Sequence, residues 1–379
     1  MTNETTTRSW VPRHDLVRLA THLFGIGLAL TIVLGVASES SASLGTAGGI
    51  ANAVGRVTSL IGTYGLLVMV VLVARLQFLE RVVGQDVLTR WHRWVAPYVL
   101  VLLWVHTVGS TLGYARAEGD GVLHEFWKLL TTTPGMLTGT VGLVLLTVAA
   151  LSSYHWAKRH MKYETWWAVH LYTYLGIGLS FSHQLSSGSA FVEEPVARAF
   201  WVGLWLATVG VVAWFRLFLP IFRSSFHALT VESIRTEHAD VVSIALRGRR
   251  LDLLPIRGGQ FLQWRFLRRG MWAQAHPYSI SAMPTRSSMR VTVKRLGDHS
   301  DELFGLEPGT RVFIEGPYGT FTHHRMRTNR VLLIGAGVGV TPIRALLEDL
   351  PAGCDVLVAL RAASTDDLVL AEGVVGYTE

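Results

Sequence analysis

The chain has 379 residues, 50% of them hydrophobic and only 16% charged, with a mean hydropathy of +0.36. That balance excludes an ordinary soluble globular protein and places part of the chain in lipid. The excess of 34 Lys and Arg over 27 Asp and Glu fits a basic cytoplasmic face of a membrane protein, and no nucleic-acid partner is expected. The single cysteine, Cys354, excludes an internal disulfide, a four-cysteine iron–sulfur cluster and a C-x-x-C-H haem attachment, so a redox centre must be held by histidine or by non-covalent nucleotide binding.

In chain order, six apolar runs have the length of about 20 residues that crosses a bilayer. They cover roughly residues 16–37, 57–76, 91–112, 135–152, 165–185 and 199–219, within about 2–4 residues at each end. The first is read as a mature helix, with cleavage near Ser40–Ser43 as the alternative. Orientation follows from the cations, because short basic loops stay in the cytoplasm. Arg8, Arg13 and Arg18 precede the first run, Arg81, Arg90 and Arg93 follow the second, and Lys158, Arg159 and Lys162 follow the fourth. The opposite loops carry Glu39, then Glu118, Asp120 and Glu125, then Glu193 and Glu194. Residues 1–222 therefore read as a multi-pass membrane unit with both ends inside.

Histidine in a membrane span is costly and marks function. His92 and His106 bracket the third run and His170 and His183 the fifth, fourteen and thirteen residues apart. At 1.5 Å per residue each pair spans about 20 Å along its helix, so two adjacent helices offer two imidazoles at each of two depths. Two stacked haems with bis-histidine ligation fit that arrangement. Thirteen steps of about 100° miss the starting face by about 140°, so a π-bulge at Gly176 and Gly178 is expected to bring His183 round. His14, His22, His124, His155 and His160 read as interfacial or hydrogen-bonding residues. Arg56 and Arg75 read as snorkelling anchors at the two ends of the second run, with Arg56 open to a haem propionate or an acceptor.

Short β-rich runs begin near Ala228 and read as a small antiparallel β-barrel over residues 223–326. It carries His276-Pro277-Tyr278-Ser279, then Val293-Lys294-Arg295-Leu296-Gly297-Asp298-His299-Ser300, then Gly316-Pro317-Tyr318-Gly319. An aromatic beside a hydroxyl can cover a flavin ring, while backbone amides and a cation hold its pyrophosphate. Residues 327–379 read as a partial α/β nucleotide-binding domain. A buried strand there enters Gly335-Ala336-Gly337-Val338-Gly339-Val340-Thr341-Pro342 and opens a helix, the setting in which glycines and a helix N-terminus meet a dinucleotide pyrophosphate. Pro342 at the helix start loses no needed hydrogen bond.

These motifs, in this order, resemble the ferric reductase and NADPH oxidase family of transmembrane flavocytochromes, whose C-terminal half looks like ferredoxin–NADP reductase. The resemblance implies a six-helix transmembrane bundle with two b-type haems, the inner one on His92 and His170 and the outer one on His106 and His183. It implies FAD along His276, Pro277, Tyr278, Ser279, Val293, Lys294, Gly297 and Ser300, and NAD(P)H at Gly335, Gly337, Gly339, Thr341 and Pro342. The family's nicotinamide domain continues beyond the point where this sequence stops, and its late Cys-Gly strand and final aromatic have no counterpart here. Cys354 lies too early to replace that cysteine, so a C-terminally truncated chain is expected. Arg361 is a candidate for a 2′-phosphate, equally readable as a surface arginine.

The expected activity is electron transfer from cytosolic NAD(P)H through FAD and two haems to an acceptor across the plasma membrane, with the C-terminal domains in the cytoplasm. A ferric or other metal chelate is the first acceptor considered, favoured by Glu118, Asp120, Glu125, Glu193 and Glu194. Dioxygen reduced to superoxide is the second. A third reading, a non-enzymatic haem subunit served by a separate reductase, follows from the short C-terminus.

Overall fold

The computed structural model describes residues 13–37, 43–154, 157, 159–188, 194–272, 274–362 and 369–370. Arg8, Glu39, His155, Lys158 and Glu193, and the Ser40 end of the suggested cleavage region, lie outside the described residues. The chain divides into two compact units, one drawn from Met1–Ala74 and Asp86–Val212, the other from Arg75–Gln85 and Ala213–Glu379.

The first unit is helical: α1 (Arg13–Ala37), α2 (Ala47–Leu72), α4 (Gln85–Glu118), α5 (Val122–Thr132), α6 (Met136–Ser152), α7 (Tyr163–Ser187) and α8 (Pro195–Ala213). Between α2 and α4 lies the short α3 (Gln77–Val83), which belongs to the second unit. Leu23, Val33, Val101, Val108, Leu206 and Val209 are exposed on these helices. Such side chains are at home in hydrocarbon, where the helix satisfies its own backbone. The helices of α1, α2, α4, α6 and the stretch Pro195–His227 are long and apolar enough to cross a membrane. The fifth expected run forms α7 at the anticipated place but falls outside that set of five. Its Glu164, Thr173, Ser180, Ser182, Gln184 and two histidines dilute the apolar character, as they must in a helix that lines a polar cavity.

Helix α2 starts ten residues earlier than expected. Thr46 caps it by accepting the Gly49 N–H at 3.0 Å, an ordinary N-cap bond worth about 1 kcal/mol. Arg56 is therefore inside a helix, not an anchor at its end. Helix α7 is regular throughout, so the expected π-bulge at Gly176 and Gly178 is absent. A π-helical turn occurs instead at Trp214–Phe218, leading into α9 (Leu219–His227).

The second unit contains β1 (Thr230–His238), β2 (Val241–Arg247), β3 (Phe261–Phe266), β4 (His276–Ala282), β5 (Ser288–Lys294) and β6 (Val312–Tyr318), joined antiparallel in the order β1-β2-β5-β4-β3-β6. Along β3, Leu262, Trp264 and Phe266 are fully buried while their neighbours are not, the period of two that a one-sided sheet requires. Each contributes about 2–3 kcal/mol by leaving water. The expected barrel does not close as a continuous ladder. Its edges β1 and β6 meet at the isolated bridge Thr230–Arg311, because the Pro308-Gly309 turn, with Gly309 at φ +88°, diverts the chain just before β6.

Helix α10 (Asp298–Glu302) follows β5. Beyond β6, β7 (Arg330–Ala336) and β8 (Asp355–Arg361) pair in parallel, connected through α11 (Val340–Asp349). Leu333, Ile343, Leu346 and Leu347 bury the helix against one face of that pair, the βαβ arrangement read from the sequence.

Candidate redox-cofactor sites

In the helical unit the site is built on small residues. Gly48, Gly55 and Gly62 recur every seven positions on α2, and a Cβ at each would press on α4: on the Gly113 carbonyl at 3.1 Å, on Ser110 Oγ at 2.5 Å and on Leu103 Cδ2 at 3.1 Å. A seven-residue glycine seam lets two antiparallel helices approach closely and keeps their register over the whole contact. The register has a chemical consequence. Met69 and Gly55, fourteen residues apart on α2, present carbonyls to His92 and His106, fourteen apart on α4.

The Nδ1 atoms of His92 and His106 lie 3.1 and 2.9 Å from those oxygens. An Nδ1–H donated to each carbonyl fixes the tautomer and leaves Nε2 free as a ligand. The opposing α7 is packed on α6, where Gly142 and Gly176 bring the backbones together: a Cβ on Gly142 would lie 2.7 Å from the Gly176 carbonyl oxygen. Trp166 stacks on His170 at 5.3 Å and donates its indole N–H to Ser153 Oγ at 3.1 Å, and that oxygen lies 3.4 Å from His170 Nδ1.

The four rings meet pairwise. The His92 and His170 ring centres are 6.4 Å apart, those of His106 and His183 6.2 Å. Two metal–imidazole bonds of about 2.0–2.1 Å, plus about 1.1 Å from each nitrogen to its ring centre, add to roughly 6.3 Å. Each pair thus has the spacing for one metal ion between its rings, as axial ligation of haem requires. His106 and His183 also line a cavity of about 500 Å³, within the volume range of cofactor pockets. Arg56, Asn52, Glu125 and Lys128 stand on its polar side. Glu118 and Glu125 both pair with Lys128, and Asp120 lies 3.4 Å from His124, so these acids are already engaged.

His22 Nδ1 lies 2.7 Å from the Arg18 carbonyl, a local helix contact. Arg75 is placed in the second unit, with its guanidinium 4.7 Å over the Tyr318 ring and 3.5 Å from Glu80, so it is a protein contact and not a snorkelling anchor.

On the sheet, His276 and Tyr278 stack with ring centres 6.4 Å apart. Trp264 donates its indole N–H to the Tyr278 carbonyl at 2.8 Å, and burial pushes the Tyr278 phenol up to about 12, so it stays a neutral donor. Ser279 faces Phe261 across β3, and the exposed Pro277 opens the strand beside them. Val293 is buried in the core, and Lys294 is bonded to Asp240 at 3.1 Å.

Ser300 is an internal staple. Its Oγ accepts the N–H groups of Leu296 and Gly297 at 2.7 and 3.0 Å and donates to the Gly297 carbonyl at 2.7 Å. Ser300→Ala is expected to leave two amides without their acceptor and to destabilise this unit by about 1–3 kcal/mol, measured as a lowered melting temperature.

In the parallel unit, Gly335 ends β7 where a Cβ would lie 2.7 Å from Ile343 Cδ1, so its role is close strand–helix packing. Gly337, at φ +51°, and Gly339 have open space above them and form a tight turn before α11. Thr341 is buried and donates to the Val338 carbonyl at 2.9 Å, bracing the turn, with Pro342 in the first helical turn. Arg361 ends β8 opposite Ala336 and is exposed.

The apolar crossing helices define a multi-pass membrane protein, and it carries two imidazole pairs at metal-ligand spacing. Residues 58–181 match the model of the ferric reductase like transmembrane component. Dual oxidase 1 of Homo sapiens is 23% identical over 301 residues, covering 72% of this chain and 18% of that protein, and dual oxidase 2 of Rattus norvegicus is equally similar over 302. The chain thus spans under a fifth of the length of these relatives. A 117-residue stretch is 33% identical to the probable dihydroorotate dehydrogenase B (NAD(+)), electron transfer subunit, of Methanothermobacter thermautotrophicus, covering 30% of this chain and 41% of that one. The chain is thus similar to the ferric reductase transmembrane component over residues 58–181 and to the dual oxidases over about 300 residues.

Proposed function

We propose that this chain transfers electrons from NAD(P)H through FAD and two b-type haems to an acceptor on the far side of the membrane. The observation that carries the reading is the pairing of His92 with His170 and of His106 with His183 at 6.4 and 6.2 Å. His92 and His170 would hold one haem and His106 and His183 the other. Haem supplies one-electron chemistry, and flavin the conversion from a two-electron hydride donor. The protein's part is to orient His92 and His106 through the Met69 and Gly55 carbonyls and His170 through Ser153. His276, Tyr278 and Ser279 would line the flavin, while Gly337, Gly339 and the first turn of α11 would meet the dinucleotide pyrophosphate. Lys294 and Ser300 are engaged internally, so they would support the flavin loop through its shape and through Asp240. Helix α7 would be the sixth span, and the cation distribution supports a plasma-membrane location with the C-terminal unit in the cytoplasm.

For the acceptor we propose a ferric or other metal chelate, supported by the matched family model. The dual oxidase relatives favour a second reading, dioxygen reduced to superoxide. Anaerobic mixing of the haem- and FAD-loaded chain with NADPH should shift the haem Soret band to its reduced position. Admitting a ferric chelate should then reoxidise the haems faster than admitting oxygen; the reverse order selects the oxidase. No reduction by NADPH would instead indicate a haem subunit served by a separate reductase.

A further inference from the structure

Glu80 on α3 is a buried acid that the electron path does not use. It is 2% exposed. One carboxylate oxygen sits 3.5 Å from the Arg75 guanidinium, and the other, Oε2, has no hydrogen-bond donor among the described residues. Arg75 in turn lies over the ring of Tyr318, whose hydroxyl donates to Glu315 at 2.8 Å. Arg216 pairs with Glu315.

The same segment grips the turn that begins at Gly316. Gln77 donates to the Gly316 carbonyl at 2.8 Å, Arg223 donates to that carbonyl as well, and Arg223 also donates to Gln77 Oε1 at 3.1 Å. Arg325 donates to the carbonyls of Arg81 and Val82 at 3.1 and 3.4 Å. Tyr318 pairs with Phe261, which also faces Ser279, so this grip lies about two strand spacings, roughly 10 Å, from the flavin motif.

We propose that Glu80 is a proton-dependent positioning residue for the flavin site: its neutral form holds the Arg75–Gln85 segment on the Gly316–Gly319 turn, and its carboxylate loosens that hold, so that FAD affinity falls as pH rises. This rests on the flavin reading given above. A carboxylate deprived of water with one distant cation and an unmatched oxygen is costly, whereas a neutral carboxyl is tolerated. The charged and titratable groups that act on it are Arg75 from its own segment, Glu315 and the Tyr318 phenol from β6, and Arg216 from the π-turn.

Burial outweighs the opposing pull of Arg75 and lifts the Glu80 carboxyl to about 7. The sign follows by linkage. A raised acid binds its proton more tightly in the gripped state, so the grip is fully stable below about 4.5, weakens as pH rises through 7, and is constant above. The gap between those two values corresponds to a change on the order of a hundredfold.

The test uses the full chain in lipid nanodiscs. Between pH 5.5 and 8.5, FAD titration by fluorescence should show affinity falling on the order of thirtyfold in the parent, the part of the change that lies above pH 5.5. Glu80→Gln, which mimics the neutral acid, should show a flat profile and bind FAD more tightly than the parent at pH 8.5. Amide protection factors of residues 78–83 should follow the same pattern, with those of β2 unchanged as a control for folding. Coincident pH profiles for parent and variant in both measurements would overturn the proposal. Protection that falls with pH only in the parent, without FAD binding in either protein, would retain the proton-dependent grip and overturn the flavin reading.

Discussion

Replacing His106 by Leu should reduce haem content from two to one per chain and abolish electron delivery to the outer acceptor. His106 and His183 flank one metal-sized gap, and His92 and His170 flank another about 20 Å away along the helices. Leucine fills the volume without offering a nitrogen, so the loss is one of ligation and leaves the α2–α4 seam intact. The remaining pair should keep its haem and still be reduced by NADPH, because it lies nearer the proposed cytoplasmic side. A pyridine haemochrome assay against protein concentration reads the ratio directly. Two haems retained in His106→Leu would remove the residue from the site. The reciprocal substitution, His92→Leu, should leave the outer haem bound but cut it off from NADPH.

Much of this site is legible in the sequence because histidine is so rarely tolerated in apolar helices that two spaced pairs stand out. The helices that carry them and the βαβ unit with its glycine turn follow from period and spacing, whereas the pairing of His92 with His170 and of His106 with His183 comes from the family resemblance. The backing of the histidines is harder to see. Gly48, Gly55 and Gly62 repeat every seven residues, the mark of a close helix seam, but the apolar window that locates this span begins only at Val57. Two of the three glycines therefore lie ahead of it, and the repeat is cut short. The Thr46 cap restores them to α2 and puts Arg56 inside the helix and on the cavity wall.

The π-bulge failed for a different reason. Ideal helical angles assume that a side chain points radially, whereas a histidine ring reaches several ångströms and its rotamer redirects it. The engagement of Ser300 and Lys294 within the protein could not be anticipated either, since the partners Leu296, Gly297 and Asp240 are set by local turn geometry and strand register. The segment Arg75–Gln85 reads as a basic loop, and its membership of the sheet-bearing unit depends on contacts more than 200 residues away in sequence.

Gly139→Leu should remove the outer haem as effectively as deleting its ligand, although Gly139 touches no metal. A Cβ at this position would lie 2.7 Å from Cγ and 2.9 Å from Cδ2 of the His183 ring, well inside van der Waals contact. Gly139 is on α6 and His183 on α7, helices packed so closely nearby that a Cβ on Gly142 would lie 2.7 Å from the Gly176 carbonyl oxygen, so the backbones have no slack at this level. The ring must therefore turn, and a turned ring no longer stands 6.2 Å from His106. Overpacking of this kind costs about 1–3 kcal/mol, which the helical unit can absorb without unfolding. The expected result is a folded chain with one haem, whose Soret amplitude is half that of the parent and whose unfolding transition is only modestly lowered. Gly139→Ala adds the same Cβ and should give a milder form of the same defect. If the leucine variant binds two haems with unchanged spectra, His183 has another route to the metal and the glycine is only a packing residue.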